Sequence, residues 1–239
     1  MLKNEVTALQ FSGGKDSLAC LFLMQPHWDE LTVYWTNTGA ALPETAELIE
    51  QVRATVPHFV EIRTDQPSDL VDNGWPVDVL PVRSALPMRE MYGKPRLRLQ
   101  SFFDCCYRNI MGPMHERMIA DGVKVIIRGQ RNQETHKSML RSGDVVDGFK
   151  VLFPIEGWTG EQVRAYLADK PIKLPSNYED MDTSLDCWNC TAWLEDNIGK
   201  RRYLKRVHPE AYTVVREMLT LIEAEIDRDR AYLLEAIAV

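Results

Sequence analysis

The residues with the clearest capacity for chemistry form one short polar stretch near the start of the chain, Ser12-Gly13-Gly14-Lys15-Asp16-Ser17. An apolar run at residues 6–11 precedes it and another at residues 18–24 follows it, which predicts a strand, a tight turn and a helix. A helix N-terminus presents unpaired backbone N–H groups and the positive end of the helix dipole. Such a junction binds anions, phosphate above all.

The residue types in this stretch suit phosphate binding. Gly13 and Gly14 let an anion approach the backbone without a Cβ in the way. Lys15 offers a mobile positive charge, and the two serines, Ser12 and Ser17, offer hydroxyl groups. The sequence therefore predicts a phosphate-binding loop.

The loop differs from the Walker A pattern, because Leu9 stands where that pattern needs a glycine and Asp16 follows the lysine. It resembles instead the SGGxDS signature of the PP-loop ATP pyrophosphatases. That resemblance implies that the loop binds ATP with Mg²⁺ and that pyrophosphate leaves as an adenylated intermediate forms. Lys15 would then stabilise charge on the phosphates, and Asp16 would help to hold Mg²⁺.

Four of the five cysteines form two pairs, the adjacent Cys105 and Cys106 and the CxxC pair Cys187 and Cys190. Four thiolates can hold either a [4Fe–4S] cluster or a zinc ion. Zinc ribbons generally use two CxxC knuckles, so the adjacent pair favours the larger cluster. Buried free thiols are the third interpretation, because cysteine is often a small core residue. Cys20, in the apolar run after the loop, is expected to be such a core residue.

The elements that must position these groups follow from the apolar pattern. Further strands are predicted at residues 31–35, 59–63 and 123–127, and a helix is predicted to begin near Pro43. Strands that alternate with helices at this spacing indicate an α/β fold, a doubly wound and mostly parallel sheet with right-handed crossovers. Ligands in such sheets bind beyond the carboxyl ends of the strands.

Two more polar segments follow predicted strands and so belong to the same edge of the sheet, Asn37-Thr38-Gly39 and Arg128-Gly129-Gln130-Arg131. Asn37 and Thr38 are expected to contact an adenosine moiety, to cap the next helix, or to do both. Arg128 and Arg131 either stabilise charge on phosphates or form surface salt bridges, and their place after a strand favours the phosphate role.

The remaining chain is less regular. Five prolines are expected to interrupt any helix over residues 66–98 and predict a long, partly irregular excursion there. A helix is predicted over residues 103–120, with Gly112-Pro113 perturbing its middle, and Thr159 is predicted to cap another. Residues 209–237 carry apolar side chains at helical spacing. We expect this helix either to pack on the domain or to form a surface for a partner. We therefore predict a nucleotide-binding domain over residues 1–193, carrying the cysteines, and a helical extension over residues 194–239.

Several segments together resemble the phosphoadenosine phosphosulfate (PAPS) reductase family, within the adenine nucleotide α-hydrolase-like fold, over about residues 6–193. They are WTNTG at 35–39, PET at 43–45, CCYR at 105–108, RGQR at 128–131, FKVLFPI at 149–155 and CWNCT at 187–191. The cysteine pattern is similar to that of the adenylylsulfate reductase branch. That resemblance implies a [4Fe–4S] cluster near the bound nucleotide.

Two departures from the reductases affect the expected reaction. Reductases of this family attack the sulfate with a C-terminal cysteine, whereas no cysteine follows Cys190 here. The loop also keeps the full SGGKDS of relatives that split ATP. We therefore expect an ATP pyrophosphatase that adenylates an acceptor for sulfur transfer. The alternatives are a reductase of adenylylsulfate or PAPS, and a noncatalytic nucleotide-binding subunit.

Composition bounds the partners. The 239 residues carry a formal net charge of −7, which argues against nonspecific coating of nucleic acid. Nucleic acid stays possible as an acceptor if a partner or a small basic patch presents it. No apolar run is long enough to span a bilayer and no signal peptide is recognised, so we expect a cytoplasmic protein. A cysteine desulfurase or another sulfur donor is expected by analogy, and the C-terminal helix could support a homo-oligomer or a protein partner.

Overall fold

The computed structural model describes residues 5–78, 99–134, 138–185 and 187–239. The strands are β1 (Thr7–Gln10), β2 (Leu31–Asn37), β3 (Phe59–Arg63), β4 (Trp75–Val77), β5 (Leu99–Ser101), β6 (Val125–Ile127), β7 (Val145–Val146) and β8 (Phe149–Leu152). The helices are α1 (Lys15–Leu23), α2 (Pro43–Thr55), α3 (Gln66–Asn73), α4 (Phe102–Cys106), α5 (Gly112–Ala120), α6 (Gly160–Ala168), α7 (Ile198–Val207) and α8 (Pro209–Ile237).

The main sheet has the strand order β3-β2-β1-β6-β8-β7. Every pair in it is parallel except β7 with β8, which form an antiparallel hairpin. Asp147 and Gly148 connect that hairpin with φ angles of 50° and 81°, the left-handed conformation that a tight two-residue turn requires. The prediction of a mostly parallel sheet is confirmed.

Helices cover both faces of this sheet. Successive residues of a strand point to opposite faces, and in β1 the side chain of Ala8 joins one apolar cluster while that of Leu9 joins the other. The Leu9 cluster includes residues of α1, α2 and α6, and the Ala8 cluster includes Met114 and Met118 of α5. The sheet is therefore doubly wound, as the alternation of elements predicts.

The prediction of an irregular segment is wrong for residues 66–78, where the chain forms α3 and β4. Pro67 lies in the first turn of α3. Backbone N–H groups in that turn have no acceptor within the helix, so a proline, which has no N–H, is tolerated there. The carboxylate of Asp65 caps this helix by accepting from Ser68 N at 3.0 Å. Strand β4 then pairs in parallel with β5. The rest of the predicted excursion, residues 79–98, lies outside the described residues.

The long helix predicted over residues 103–120 is divided into α4, a π-helical turn at Tyr107–Met111, and α5. Pro113 lies at the start of α5, so the expected perturbation at this position is observed. Cys105 and Cys106 form the last residues of α4, directly before the wider turn.

The two C-terminal helices pack against the sheet domain. Tyr203 and Leu204 of α7 and Val215 of α8 share an apolar cluster with Leu42 and Leu185. The last turns of α8 leave large apolar side chains exposed. Packing on the domain is thus observed for part of residues 209–237, whereas a partner for the exposed end of α8 and the domain boundary at residues 193 and 194 stay predictions. Among the described residues, no helix has the length and apolar character needed to cross a membrane.

Candidate functional site

The polar loop lies at the carboxyl end of β1, and α1 begins inside it at Lys15. Gly13 makes the turn with a φ of 74°. The hydroxyl of Ser17 donates to the carbonyl oxygen of Gly14 at 2.9 Å and lies 3.2 Å from the hydroxyl of Ser12. Both serines therefore hold the turn, a role that the sequence reasoning did not assign to them.

Gly129 lets the segment after β6 lie directly against this loop. A Cβ at position 129 would come within 2.5 Å of the carbonyl carbon of Asp16 and 2.7 Å of the backbone nitrogen of Ser17. Only glycine fits at this distance, because backbone atoms cannot rotate away. The two segments predicted to share an edge of the sheet are in contact.

Three charged side chains of the predicted site form one group. The carboxylate of Asp16 accepts from Arg131 Nε at 2.7 Å and from Lys15 Nζ at 3.1 Å. The side chains of Lys15 and Arg131 are 4% and 10% exposed, so solvent screens these ion pairs weakly. In this state Asp16 is bound by two cations.

Arg128 stays apart from that group. Burial lowers the pKa of its guanidinium, and the charge of Glu134 opposes that shift. Within the described residues the Arg128 guanidinium has no hydrogen-bond or ion-pair partner, so the alternative of a surface salt bridge is not observed there.

Glu134 is a site residue that the sequence reasoning missed. Its carboxylate accepts from the backbone N–H of Arg131 at 3.2 Å, and burial followed by the charge of Asp16 raises its pKa. The available signal was a carboxylate three residues after an arginine that was already assigned to the site.

A second missed feature is the segment of residues 176–185, here called the strap, which lies over the phosphate loop. The hydroxyl of Tyr178 accepts from the backbone N–H of Lys15 at 2.8 Å, and the carbonyl oxygen of Asp182 accepts from Lys15 Nζ at 3.0 Å. The sequence predicts only a polar loop here, since no periodic pattern shows where such a loop folds back.

The end of β2 is fixed by hydrogen bonds of its own. The amide of Asn37 donates to Glu61 Oε1 at 2.9 Å and accepts from the N–H of Gly39 at 3.0 Å. The expectation that Asn37 or Thr38 caps the next helix is wrong, because the N-cap of α2 is Leu42.

The CxxC segment docks on this same end of β2. The hydroxyl of Thr38 lies 3.5 Å from Cys187 Sγ, and the backbone N–H of Trp188 donates to the carbonyl oxygen of Ala40 at 3.3 Å. Asn189, buried between the cysteines, donates to the side chain of Gln66 at 2.9 Å. Because β2 pairs with β1, the thiols lie one strand away from the phosphate loop.

The four paired cysteines come from distant parts of the chain and influence one another electrostatically. Burial raises the pKa of Cys106 to about 12, with further contributions from Cys190 and Cys187. Burial likewise raises the pKa of Cys105 to about 12, with further contributions from Cys106, Asp69 and Cys190. Among the described residues, however, no three His, Cys, Asp or Glu side chains are arranged to hold a metal ion. The donors fit a four-thiolate site in type and number, whereas their spacing is that of separate thiols.

Two cations of α7 face the CxxC segment. Lys200 is buried, and its Nζ donates to the carbonyl oxygen of Cys187 at 3.5 Å. Burial lowers the pKa of Arg201, while the charges of Cys190 and Asp78 oppose that shift. Positive charge beside thiols stabilises their ionised form.

Comparison with known proteins agrees with this arrangement. The model of the phosphoadenosine phosphosulfate reductase domain matches residues 6–193, which is most of the chain. The chain belongs to this family. A curated PAPS reductase from Gloeobacter violaceus is 23% identical over 194 residues, covering 79% of this chain and 73% of the relative.

A crystal structure of the PAPS reductase from Candida auris, in a phosphate complex, superposes with a TM-score of 0.52 at 14% identity. It covers 74% of this chain and 79% of that one, and at this identity the likeness shows the fold. The PAPS reductase family is one of enzymes, and the family expectation from the sequence is confirmed.

Proposed function

We propose that this member of the PAPS reductase family binds ATP with Mg²⁺ at the phosphate loop, releases pyrophosphate and adenylates an acceptor for sulfur transfer. The observation that carries the proposal is the charged group of Lys15, Asp16 and Arg131 at the N-terminus of α1. Two buried cations and one carboxylate match a polyphosphate that arrives with a divalent metal ion.

Each residue then has a definite task. Asp16 would hold Mg²⁺ in place of its two cationic partners, and Lys15 and Arg131 would then bind the phosphate oxygens. Arg128, whose guanidinium has no partner in the described residues, provides further positive charge at the same edge. An oxygen of the acceptor attacks the α-phosphorus, the bond to the bridging oxygen breaks, and pyrophosphate leaves with the electron pair.

Adenosine would lie beyond β2, the strand next to the loop. Gly39, with a φ of 75°, turns the chain there, and Thr38 joins this position to Cys187. Ligands of open parallel sheets bind beyond such strand ends. The adenylated acceptor would therefore form close to the thiols.

We propose Cys105, Cys106, Cys187 and Cys190 as ligands of a [4Fe–4S] cluster. Their type and number support this, and binding would draw the separate thiols together and displace their protons. When bound, the cluster would supply a site that positions or delivers sulfur, with a cysteine desulfurase or a comparable donor as the source. Nucleic acid is a possible acceptor, with the C-terminal helix as a possible docking element for the protein that presents it.

Reduction of adenylylsulfate or PAPS to sulfite is the second candidate function, because the relatives named above are PAPS reductases. That reaction needs a thiol to attack the sulfate. Cys190 is the last cysteine of the printed sequence, and all four paired cysteines are assigned to the cluster, so the thiol would have to come from elsewhere.

The two functions differ in their products. Anaerobically purified protein is incubated with Mg²⁺ and ATP, or with adenylylsulfate and a dithiol, and the products are separated. AMP and pyrophosphate from ATP support the proposal, whereas sulfite from adenylylsulfate supports the reductase. Asp16→Asn, which keeps the size of the side chain and removes its charge, should abolish pyrophosphate release. Turnover of neither nucleotide would favour a noncatalytic subunit.

A further inference from the structure

The strap occupies donors that a phosphate would need. The first backbone N–H groups of a helix have no partner within the helix, and that of Lys15 is the first in α1. Here the hydroxyl oxygen of Tyr178 accepts from it at 2.8 Å in a buried contact. A Cβ on Gly14 would lie 3.5 Å from that hydroxyl and 3.6 Å from Ser184 Cβ, so the strap touches the loop itself.

The same segment also holds the charged end of Lys15. Its Nζ donates to the carbonyl oxygen of Asp182 at 3.0 Å as well as to the carboxylate of Asp16. The hydroxyl oxygen of Tyr178 thus binds the backbone N–H of Lys15, and the carbonyl oxygen of Asp182 binds its ammonium group. Phosphate oxygens would bind the same two groups.

We propose that Tyr178 gates the nucleotide site: its hydroxyl holds the place of a phosphate oxygen on Lys15 and must leave when the nucleotide binds. This inference rests on the proposed function, because it assigns regulation to the same phosphate loop. The strap is then a competitor that is part of the chain, and its release is part of every binding event.

Contacts on the two sides of the strap support its release. On the outer side Arg164 donates to the carbonyl oxygen of Tyr178 at 3.1 Å and pairs with the carboxylate of Asp182, and Arg206 pairs with Asp180. The two ion pairs are largely exposed, a class that contributes little to stability, whereas the hydrogen bond to Tyr178 is partly buried.

On the inner side, two polar atoms of the strap lack partners. Asn177 Oδ1 and Thr183 Oγ1 are buried and have no hydrogen-bond partner in the described part of the chain. Burying an unpaired polar group costs free energy that hydration returns. Opening of the strap would return these two atoms to water, and this gain offsets part of the cost of exposing Met181 and Leu185, which the strap buries in the apolar cluster around Tyr203.

The test removes one hydroxyl. Tyr178→Phe keeps the ring and loses the oxygen that competes, so inorganic pyrophosphate and ATP should each bind about three- to tenfold more tightly by calorimetry. In the free variant the backbone N–H of Lys15 should exchange faster with deuterium, because it has lost its acceptor. Tyr232→Phe removes a hydroxyl from the exposed end of α8 and should change neither measurement.

The possible outcomes distinguish failure of the proposed gate from failure of the proposed function. If ATP binds wild type and Tyr178→Phe with equal affinity, the proposal that Tyr178 is a gate is overturned, and the proposed function is unaffected. Weaker binding by the variant also overturns it, since Tyr178 would then contact the ligand. Tighter binding of pyrophosphate without any binding of ATP supports the gate and contradicts the proposed nucleotide.

A second variant covers the case in which Tyr178→Phe does not fold. Arg164→Ala removes the outer contacts to Tyr178 and Asp182 at a side chain that is 41% exposed and leaves the pair of Arg206 with Asp180. It should also tighten pyrophosphate binding. Unchanged affinity in Arg164→Ala, with unchanged exchange at Lys15, would overturn the gate.

Discussion

At the scale of single residues, the phosphate loop depends on one close backbone contact. Gly129 brings the segment after β6 against the first turn of α1, and Arg131, two residues later, thereby reaches Asp16. The ion pair and the glycine contact are parts of one arrangement, because the side chain of Arg131 extends from a backbone that only glycine can place there.

Gly129→Ala should therefore damage both stability and activity. Its Cβ would overlap backbone atoms of Asp16 and Ser17, so the start of α1 must shift. We expect the free energy of unfolding to fall by about 1–3 kcal/mol in urea titrations. Pyrophosphate release should fall about a hundredfold, because the phosphate donors are misplaced.

Gly157→Ala is the matched control. A Cβ at that position would meet no atom within 4 Å, so both measurements should stay at their wild-type values. Equal behaviour of the two variants would show that the contact at Gly129 is not what holds the loop.

At the scale of elements, β3 fixes the end of β2 through one carboxylate. Glu61 of β3 accepts from the amide of Asn37, from Arg53 of α2 and from Arg63. The hydrogen bond from Asn37 has the largest effect on the pKa of Glu61, and together with the arginines it lowers that pKa to about 2 although burial opposes the shift. The strand end that holds the CxxC segment is thus secured electrostatically.

Glu61→Gln should lower the free energy of unfolding by about 1–2 kcal/mol near pH 7. A lowered folded-state pKa stabilises the protein above the unfolded-state pKa, and the contribution is lost as the pH falls through the folded value. The difference between wild type and variant should therefore be constant down to about pH 5 and shrink from there toward pH 2. Urea titrations across this range test it, and a difference that grows as the pH falls would contradict the assignment.

The C-terminal helices are joined to the sheet domain by a second carboxylate. Glu44, in the first turn of α2, accepts from the hydroxyl of Tyr203 at 2.5 Å, and its Oε1 lies 2.7 Å from Nε2 of His208 between α7 and α8. Burial alone would raise the pKa of Glu44, but these hydrogen bonds lower it.

Tyr203→Phe should destabilise the protein by about 1–3 kcal/mol. It removes a donor from a buried carboxylate whose other oxygen already lacks a partner in the described residues. Chemical denaturation measures the change. Tyr212→Phe in the neighbouring helix is the control, and an equal loss there would indicate a general effect of tyrosine packing.

At the scale of the whole molecule, the proposed cluster would join segments that are far apart in the chain. Cys106 and Cys187 are separated by 80 residues, yet the charge of Cys187 contributes to the raised pKa of Cys106. A group bound by both thiols would cross-link α4 to the segment before α7.

Cys187→Ser should abolish a broad absorbance band at about 400 nm and most of the bound iron in anaerobically purified protein. Cys20→Ala is the control, because Cys20 lies in the main apolar cluster and should leave the iron content unchanged. A colourless wild-type protein that contains zinc would refute the iron assignment.

Local patterns predicted much of this fold. Thr159 caps α6 as expected, with Gln162 completing the reciprocal pair of hydrogen bonds, because both partners lie within one turn. The phosphate loop and the segment at Arg128 were placed together by a general rule about strand ends.

The features that the sequence did not reveal depend on contacts between distant residues. Tyr178 lies 163 residues from Lys15 along the chain, and no spacing or periodicity encodes that hydrogen bond. Lys200 is likewise buried, and local spacing does not indicate the contact between its Nζ and the carbonyl oxygen of Cys187.

Because β1 pairs with β2 on one side and with β6 on the other, its completion is delayed while the ribosome makes the chain. Thr7 aligns with Leu31 and with Val125, and Val125 is made 118 residues after Thr7. At translation rates of about 5–20 residues per second, the second edge of β1 stays unpaired for about 6–24 s. A nascent chain in that interval already contains the whole phosphate loop but only half of the sheet beneath it. An unpaired strand edge can pair with another chain, so β1 stays open to misassociation until β6 has been made.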